Sequence, residues 1–462
     1  MDFSRFDKYY RYLIAVPLLI ALLTYWRFRE INFAEVYAYV ARQDVIHPML
    51  QQSFTGPRSI VWDFFGLLNR ILIPGSIIVL RLVGFLLTVL NYFLLSKLLN
   101  DILGQRFWGF LGAFLVSLSP FMVVAAVAGV PSASSATVVI LFLMAIYKNE
   151  YVFGGILSGV AVAANLPGLI MFLIMVLDLL QNSTDSRPKG DEPREQEKIV
   201  QRVLYSAAGF FGVVLVVFIY SFFSGAVRFS PIPLQEQDVP WSLLGIAPIF
   251  VVNIVDVAGV VYLLVARRYD VYRTHFHSLM LWIASGALCV VQPTATNFLV
   301  DLVVSSLLAV CFIQGFASTW GIKFLSADTF VFLFVVLFLF ADIYANNKYL
   351  QDRVLKECQQ TSQELDEVVA SIIPVEGNSQ IVSNFVPSEL SVKLKKPVVE
   401  IEGQPFPIGN MNVRGARTIF VVDKISRTDS LYVGCKLLLN SACEINGADH
   451  YIEVIQCEEN SR

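Results

Sequence analysis

Charged residues are scarce in this chain of 462 residues. They make up 15% of the sequence, whereas 56% of the residues are hydrophobic. A soluble domain carries about 25% charged residues. The composition therefore excludes an ordinary soluble globular protein, and nothing in it suggests nucleic acid as a partner. Long apolar runs recur from Leu13 to Tyr344, which predicts an α-helical polytopic membrane protein.

Histidine and zinc-type cysteine spacing are scarce as well. The chain has four histidines and six cysteines, and no two cysteines follow the C-x2-C spacing typical of zinc sites. Two cysteines lie in apolar runs and are expected to be buried packing residues, Cys289 and Cys311. Four others lie in the polar C-terminal part, where they allow three disulfide pairings in an oxidising compartment or, as the competing interpretation, zinc binding: Cys358, Cys435, Cys443 and Cys457.

Apolar runs are what the chain has in abundance. Because a transmembrane helix needs about 20 apolar residues, eleven spans are predicted, at residues 12–26, 74–96, 107–129, 132–147, 151–165, 167–181, 202–224, 241–265, 277–293, 298–318 and 326–345. No small-residue cleavage site follows the first run, which is interpreted as a retained helix. The two short spans around Asn165–Gly168 are alternatively half-helices packed within the bundle. Three spans hold aspartates, of which Asp256 is expected to pair with a polar residue of a neighbouring helix: Asp256, Asp301 and Asp342.

Lysine and arginine are concentrated in alternate loops between the predicted spans. Beyond the first loop, the loops on one side hold almost only Arg228, whereas those on the other side are basic. This positive-inside pattern predicts a cytoplasmic N-terminus. An odd number of spans then makes the C-terminal part extra-cytoplasmic, which agrees with the disulfide interpretation. The expected location is a bacterial inner (plasma) membrane.

The first extra-cytoplasmic loop, residues 27–73, is unusually rich in ionisable residues. It holds five arginines, although such loops normally avoid them. They either anchor the loop to lipid phosphates or bind an anionic ligand. We interpret this loop as the location of a lipid-phosphate or sugar-phosphate site.

The remaining segments divide the chain into domains. Residues 1–345 form the transmembrane domain, with a polar cytoplasmic loop at 182–201. Residues 346–379 are predicted to form a solvent-exposed connecting helix that continues the last span. Residues 380–462 alternate polar and apolar residues in short runs, among them SELSVKLKK, which predicts a small extra-cytoplasmic β domain of the sandwich type. This domain has no catalytic motif and is interpreted as a docking module for protein partners.

An ordered series of short motifs between Glu35 and Gly168 resembles the GT-C superfamily of membrane glycosyltransferases. That superfamily includes lipid A aminoarabinose transferases and protein O-mannosyltransferases. The residues that carry the resemblance are Glu35-Val36-Tyr37-Ala38, Ala41-Arg42, Gly56-Pro57, Val61-Trp62, the run from Arg81 to Leu90, Ser119-Pro120, the run from Gly154 to Ala161, and Asn165-Leu166-Pro167-Gly168. In the rest of the chain the similarity rests on topology alone.

The resemblance implies an integral membrane glycosyltransferase that moves a sugar from a polyprenyl-phosphate donor to an extra-cytoplasmic acceptor. Such a transfer needs a carboxylate to take the acceptor's proton and cations to stabilise the departing phosphate. The carboxylate would be Glu35, joined by Asp44 if the loop folds back. The donor-phosphate residues would be Arg42, Arg58, Arg70 and Arg81. Because Arg81 lies inside an apolar span, it is expected to have a partner or a function.

Three departures from the family pattern favour an alternative. Ala34 stands where the family places an aspartate, and two stretches lack the charges that relatives carry, Val130–Ser135 and Gln292–Phe298. The alternative is a catalytically inactive GT-C-like scaffold subunit of a larger membrane complex. A transporter is the third hypothesis, but no repeat relates the two halves. No tight cofactor is expected, and the thin supply of histidines and carboxylates does not support a divalent metal.

Overall fold

The structure is a computed structural model that describes most of the chain. The described residues are 10–31, 33–41, 45–46, 59–74, 76–164, 166–185, 192–224, 245–265, 275–319, 327–374, 377, 379–400, 417–424, 435–445 and 448–457. The side chains of some residues in these ranges, Glu35 and Cys443 among them, lie outside the description.

The described part of the N-terminal domain consists of helices and the turns between them, apart from one short strand. In chain order they are α1 Tyr10–Arg27, α2 Ala34–Ala41, α3 Ile60–Leu72, α4 Ile78–Leu103, α5 Arg106–Ser117, α6 Pro120–Ala128, α7 Ser132–Tyr147, α8 Tyr151–Ala163, α9 Gly168–Asp185, α10 Glu192–Ser224, α11 Ala247–Val265, α12 Phe276–Val291, α13 Ala295–Thr319 and α14 Ala327–Ala345. Five described helices are long and apolar enough to cross a membrane, or six if one bent pair is counted as a span. The chain is thus a helical polytopic membrane protein.

Each predicted span coincides with one of these helices, except that the third is divided in two. Helices α5 and α6 meet at an angle of 71°. The break has a local cause: the Ser119 hydroxyl accepts a hydrogen bond from the backbone N–H of Met122 at 3.2 Å, and Pro120 occupies the first turn of α6. A serine cap followed by proline is a typical helix start.

The polar segment predicted as a cytoplasmic loop at 182–201 is partly helical. Helix α9 continues to Asp185 and α10 begins at Glu192, so that residues 192–201 are helical. Glutamate, glutamine, lysine and arginine are good helix formers, and they extend α10 beyond its apolar part. A polar connection between two spans can therefore be helical at both of its ends.

A buried polar seam joins helices α11, α12 and α13. The Asp301 carboxylate accepts hydrogen bonds from the Asn253 side-chain amide at 2.9 Å and from the Ser285 hydroxyl at 2.8 Å. The Trp282 indole donates to the Asn253 amide oxygen at 2.6 Å. Asp256, one turn after Asn253, is fully buried in the same seam. Interhelical hydrogen bonds of this kind stabilise membrane bundles.

The buried carboxylates allow a prediction about stability. Asp342 of α14 is 1% exposed, and neither carboxylate oxygen has a hydrogen-bond partner among the described residues. Because an uncompensated buried charge is costly, Asp342→Asn is expected to leave the midpoint of thermal unfolding in detergent unchanged or to raise it. In the matched variant Asp301→Asn, the new amide N–H group would face the two groups that donate to Asp301, the Asn253 amide and the Ser285 hydroxyl. This variant is expected to lose about 1–3 kcal/mol of unfolding free energy. A larger loss of stability for Asp342→Asn than for Asp301→Asn would contradict the conclusion that the Asp342 carboxylate is uncompensated.

The last span continues without interruption into the C-terminal part. Helix α14 is followed by a π-helical segment, Asn346–Leu355, and then by α15, Lys356–Ile372. A helix thus follows the last span, but it ends at Ile372, before residue 379, and one side of it is buried. Its apolar side packs on the C-terminal sheet through buried residues that include Leu365, Val368 and Ile372.

The described strands of the C-terminal domain form one mixed sheet. The strands are β1 Val45–Ile46, β2 Gln380–Ser383, β3 Val398–Glu400, β4 Thr418–Lys424, β5 Cys435–Ile445 and β6 Ala448–Cys457, and their order is β1-β3-β2-β4-β6-β5. The strands β1, β3, β2 and β4 are parallel to one another. Strand β6 runs antiparallel to both β4 and β5.

The predicted β-sandwich is a wrong interpretation of this domain. Among the described residues, the sheet is covered by helix α15 and by α16, Pro387–Leu394, instead of by a second sheet. The run SELSVKLKK, part of the predicted β pattern, contains most of α16. Pro387 in its first turn, Glu389 beside it and Lys393 in the last turn are helix-end signals, and these outweigh the short alternation.

The first loop contributes a strand to the C-terminal sheet. Val45 pairs with Val398, and Ile46 pairs with Val399. This pairing joins the first loop to the C-terminal domain. No local signal indicates the pairing, because it joins segments near opposite ends of the chain.

One disulfide joins the last two strands. Cys435 and Cys457 are opposite each other in the β5–β6 ladder and are bonded, whereas Cys358 is a buried thiol. The disulfide interpretation is confirmed for this pair. Cys311 is buried and Cys289 is partly buried, as expected for packing residues.

Candidate functional site

A cavity of about 970 Å³ lies where the first loop, the start of α4 and the connecting helix meet. Arg29 and Glu30 line it from the turn after α1, Tyr37 from α2, and Arg81 from the first turn of α4. The opposite wall is one side of α15, which supplies Cys358, Gln359, Ser362, Gln363, Asp366, Glu367 and Ala370. The lining is rich in groups that form hydrogen bonds.

Arg81 is the half-buried cation of this cavity. Its guanidinium donates to the backbone oxygens of Ile31 at 3.1 Å and Arg29 at 3.4 Å. Its Nε–H is buried and has no hydrogen-bond partner among the described residues. The two carbonyls fix the guanidinium in place without neutralising it. A fixed arginine beside a cavity is suited to hold a phosphate or carboxylate.

The α15 wall is carboxylate- and amide-rich. Gln359, Ser362, Gln363, Asp366 and Glu367 recur at spacings of three and four, which places them on one side of the helix. The Gln359 amide donates to the Glu30 carboxylate at 2.7 Å and joins this wall to the first loop. Hydroxyl-rich ligands are bound by such mixtures of amide, hydroxyl and carboxylate groups.

Behind the cavity wall lies a buried carboxylate from the C-terminal domain. Glu389, in the first turn of α16, is 4% exposed. Its carboxylate accepts a hydrogen bond from the Tyr37 hydroxyl. Burial is the largest cause that raises the pKa of Glu389 to about 7, while Lys393, Tyr37 and Arg81 oppose the rise. Glu389 is therefore a carboxyl group that changes its charge near neutral pH.

The structure brings one of the predicted site residues into this cavity. Arg81 lines it, and the expectation that Arg81 has partners is met by the two loop carbonyls. Arg70 lies in the last turn of α3 and is not among the cavity residues. Glu35 lies in α2, but its side chain is outside the described part. Three other predicted site residues lie outside the described residues altogether: Arg42, Asp44 and Arg58.

Sequence reasoning missed two parts of the cavity. The connecting helix is predicted to be solvent-exposed, although the three- and four-residue spacing in α15 indicates a single polar side that a cavity can use. Glu389 had no sequence signal, because its approach to Tyr37 depends on contacts between α16 and α2, which are distant in the chain. Among the described residues, no group of three potential metal ligands from His, Cys, Asp and Glu is close enough to hold a metal ion.

Comparison with known proteins identifies the fold. No family model matches the chain, and no curated protein matches it in sequence. Among solved structures, the chain is similar to the crystal structure of ArnT from Cupriavidus metallidurans in the apo state. The TM-score is 0.53, the sequence identity is 13%, and the match covers 96% of this chain and 97% of that one. ArnT is a lipid A aminoarabinose transferase of the GT-C type. The chain therefore has a GT-C fold.

Proposed function

We propose that this GT-C-fold protein is a membrane glycosyltransferase that moves a sugar from a polyprenyl-phosphate donor to an extra-cytoplasmic acceptor. The observation that carries the proposal is the cavity between the first loop, the start of α4 and the connecting helix, with Arg81 fixed at its edge. A lipid-linked donor can keep its chain among the apolar helices while its phosphate reaches this position. The proposed location is a bacterial inner membrane with the N-terminus in the cytoplasm, and the Cys435–Cys457 disulfide supports an oxidising, extra-cytoplasmic side for the sheet.

The chemistry assigns a role to each group. The acceptor's nucleophilic oxygen forms a bond to the anomeric carbon of the sugar, and the bond from that carbon to the phosphate oxygen breaks. The bonding electrons leave with the polyprenyl phosphate, whose charge Arg81 stabilises. The acceptor's proton goes to a carboxylate, for which Glu35 is the proposed base and Asp44 the second candidate. Arg42, Arg58 and Arg70 are proposed as further phosphate contacts.

The role of Glu35 is tested by Glu35→Gln. The amide has nearly the same shape but cannot accept the proton, so transfer from a polyprenyl phosphosugar is expected to fall by about 100-fold or more. Donor binding and the thermal unfolding midpoint are expected to remain unchanged. Transfer is measured as release of polyprenyl phosphate from the purified, detergent-solubilised protein. Unchanged turnover in the variant would show that another group is the base.

A scaffold role without catalysis is the second candidate. It is favoured by the charge of the described cavity lining, in which three carboxylates face two arginines, because this excess opposes the binding of an anion. Native mass spectrometry of protein extracted in mild detergent separates the two. A bound polyprenyl phosphate or phosphosugar supports the transferase, whereas stoichiometric protein partners without such a lipid support the scaffold.

A further inference from the structure

Glu389 stands out among the buried charged groups outside the membrane domain. It belongs to the C-terminal domain, yet its hydrogen-bond partner, Tyr37, belongs to the first loop and lines the cavity. A carboxyl group buried at 4% exposure is costly unless its surroundings compensate it. The Tyr37–Glu389 hydrogen bond supplies part of this compensation, and it joins the cavity wall to the C-terminal domain, which is interpreted from its sequence as a docking module.

The charged and titratable groups around Glu389 come from four elements. Tyr37 of α2 donates to its carboxylate, Lys393 lies one turn away on α16, and the charges of Arg81 on α4 and Asp366 on α15 also act on it. Lys393 is itself bound to Asp366, with 2.7 Å between Nζ and Oδ1. Lys393 is the cation that acts most strongly on Glu389, and its charge is shared with Asp366. Arg81 acts on Glu389 more weakly, but it is the cation of this group that lines the cavity, where an anionic ligand would meet it.

We propose that Glu389 is a positioning residue of the cavity, which holds Tyr37 in the wall and sets the charge that Arg81 presents to a phosphate-linked ligand. When Glu389 is neutral, it does not offset the positive charge that Arg81 presents to the ligand. When Glu389 is ionised, its negative charge offsets that of Arg81 and weakens anion binding. The C-terminal domain is in this way part of the binding site. The identity of the ligand, but not the contact itself, rests on the proposed function.

The binding test uses a short-chain isoprenyl phosphodiester, because a phosphodiester keeps a constant charge from pH 6 to pH 8. Because burial raises the pKa of Glu389 to about 7, Glu389 gains its negative charge between these values, and wild-type affinity is expected to fall severalfold. Glu389→Gln cannot ionise but retains an acceptor for Tyr37. It is expected to bind at both pH values as tightly as wild type does at pH 6.

Two further variants separate this role from a merely structural one. Tyr37→Phe removes the donor to Glu389 and is expected to weaken binding at both pH values while a pH dependence remains. Glu364→Gln is the matched control, since Glu364 is a buried carboxylate of α15 that binds the Ser441 hydroxyl at 2.7 Å and does not line the cavity. Its pH profile is expected to follow wild type. The proposal is overturned if Glu389→Gln retains the wild-type pH dependence.

A ligand-free measurement distinguishes failure of this inference from failure of the proposed function. The folded-state pKa of Glu389, about 7, lies above the ordinary value of 4.5. The stability that its protonation contributes is therefore complete below pH 4.5 and is lost as the pH rises through 7. The difference in unfolding midpoint between wild type and Glu389→Gln should change in favour of the variant over this window. If neither the wild type nor any variant binds the phosphodiester at either pH, the proposed function fails. If the difference in unfolding midpoint between wild type and Glu389→Gln does not vary with pH, the role of Glu389 is overturned as well.

Discussion

Replacing Arg81 by glutamine is expected to weaken binding of an isoprenyl phosphodiester by about 10- to 100-fold, because hydrogen bonds to charged groups contribute about 1.5–3 kcal/mol. Arg81 lines the cavity, and two backbone carbonyls of the first loop hold its guanidinium in place. Binding is measured with purified protein in detergent. Arg81→Lys keeps the charge but loses the planar fork, so an intermediate affinity is expected.

The control for this prediction is Arg353→Gln. Arg353 lies in the π-helical segment that leads into the cavity-lining helix α15. Its side chain is 45% exposed, and it pairs with Glu357 at 3.5 Å without lining the cavity. Its loss is expected to leave binding unchanged. Because Arg81 also holds two carbonyls of the first loop, the unfolding midpoint of each variant is measured in parallel. Equal losses of affinity in Arg81→Gln and Arg353→Gln would exclude a specific phosphate contact at Arg81.

Replacing Gly129 by alanine is expected to destabilise the protein by about 2–4 kcal/mol, among the larger effects of a single substitution. Gly129 ends α6 with φ of +76°, and an added Cβ would lie 2.8 Å from the backbone nitrogen of Arg81. Its carbonyl oxygen also accepts a hydrogen bond from the Trp62 indole at 2.7 Å. The substitution therefore strains the backbone and pushes against the helix that carries Arg81.

Gly104 provides a matched control for the steric part of this effect. It ends α4 with φ of +70°, and an added Cβ would have no neighbour within 4 Å. Gly104→Ala is expected to cost only about 1 kcal/mol, the conformational part. The difference in thermal unfolding midpoint between Gly129→Ala and Gly104→Ala therefore measures the steric cost of the close approach of Gly129 to α4. Equal losses at the two glycines would show that the packing against Arg81 is looser than the structure indicates.

The membrane domain was predictable from sequence because its signals are local. An apolar run of sufficient length is a helix in a bilayer whatever it packs against, and each predicted span coincides with a helix or with the bent pair at Ser119-Pro120. The resemblance to the GT-C superfamily, based on short motifs between Glu35 and Gly168, is confirmed at the level of the fold.

The C-terminal domain was less predictable because long-range contacts decide it. Strand β1 is two residues long and becomes a strand only by pairing with β3. The run that forms α16 alternates polar and apolar residues like a strand over a few positions. In the structure it is a helix that packs against α2, a contact between segments far apart in the chain. Periodicity in such short segments cannot distinguish the two. The same contacts bring Glu389 to Tyr37, so the site itself combines local signals, at Arg81, with a residue that only the fold reveals.

The most direct test of the proposed site is photo-crosslinking with a short-chain polyprenyl phosphosugar that carries a diazirine near its phosphate. Labelled peptides are mapped by mass spectrometry, with unlabelled phosphodiester as competitor. Competed labelling of the polar side of α15 between Gln359 and Glu367, and of α2 around Tyr37, is the expected result. Labelling that is not competed and is confined to lipid-facing helices such as α10 would contradict a phosphate-linked ligand in this cavity.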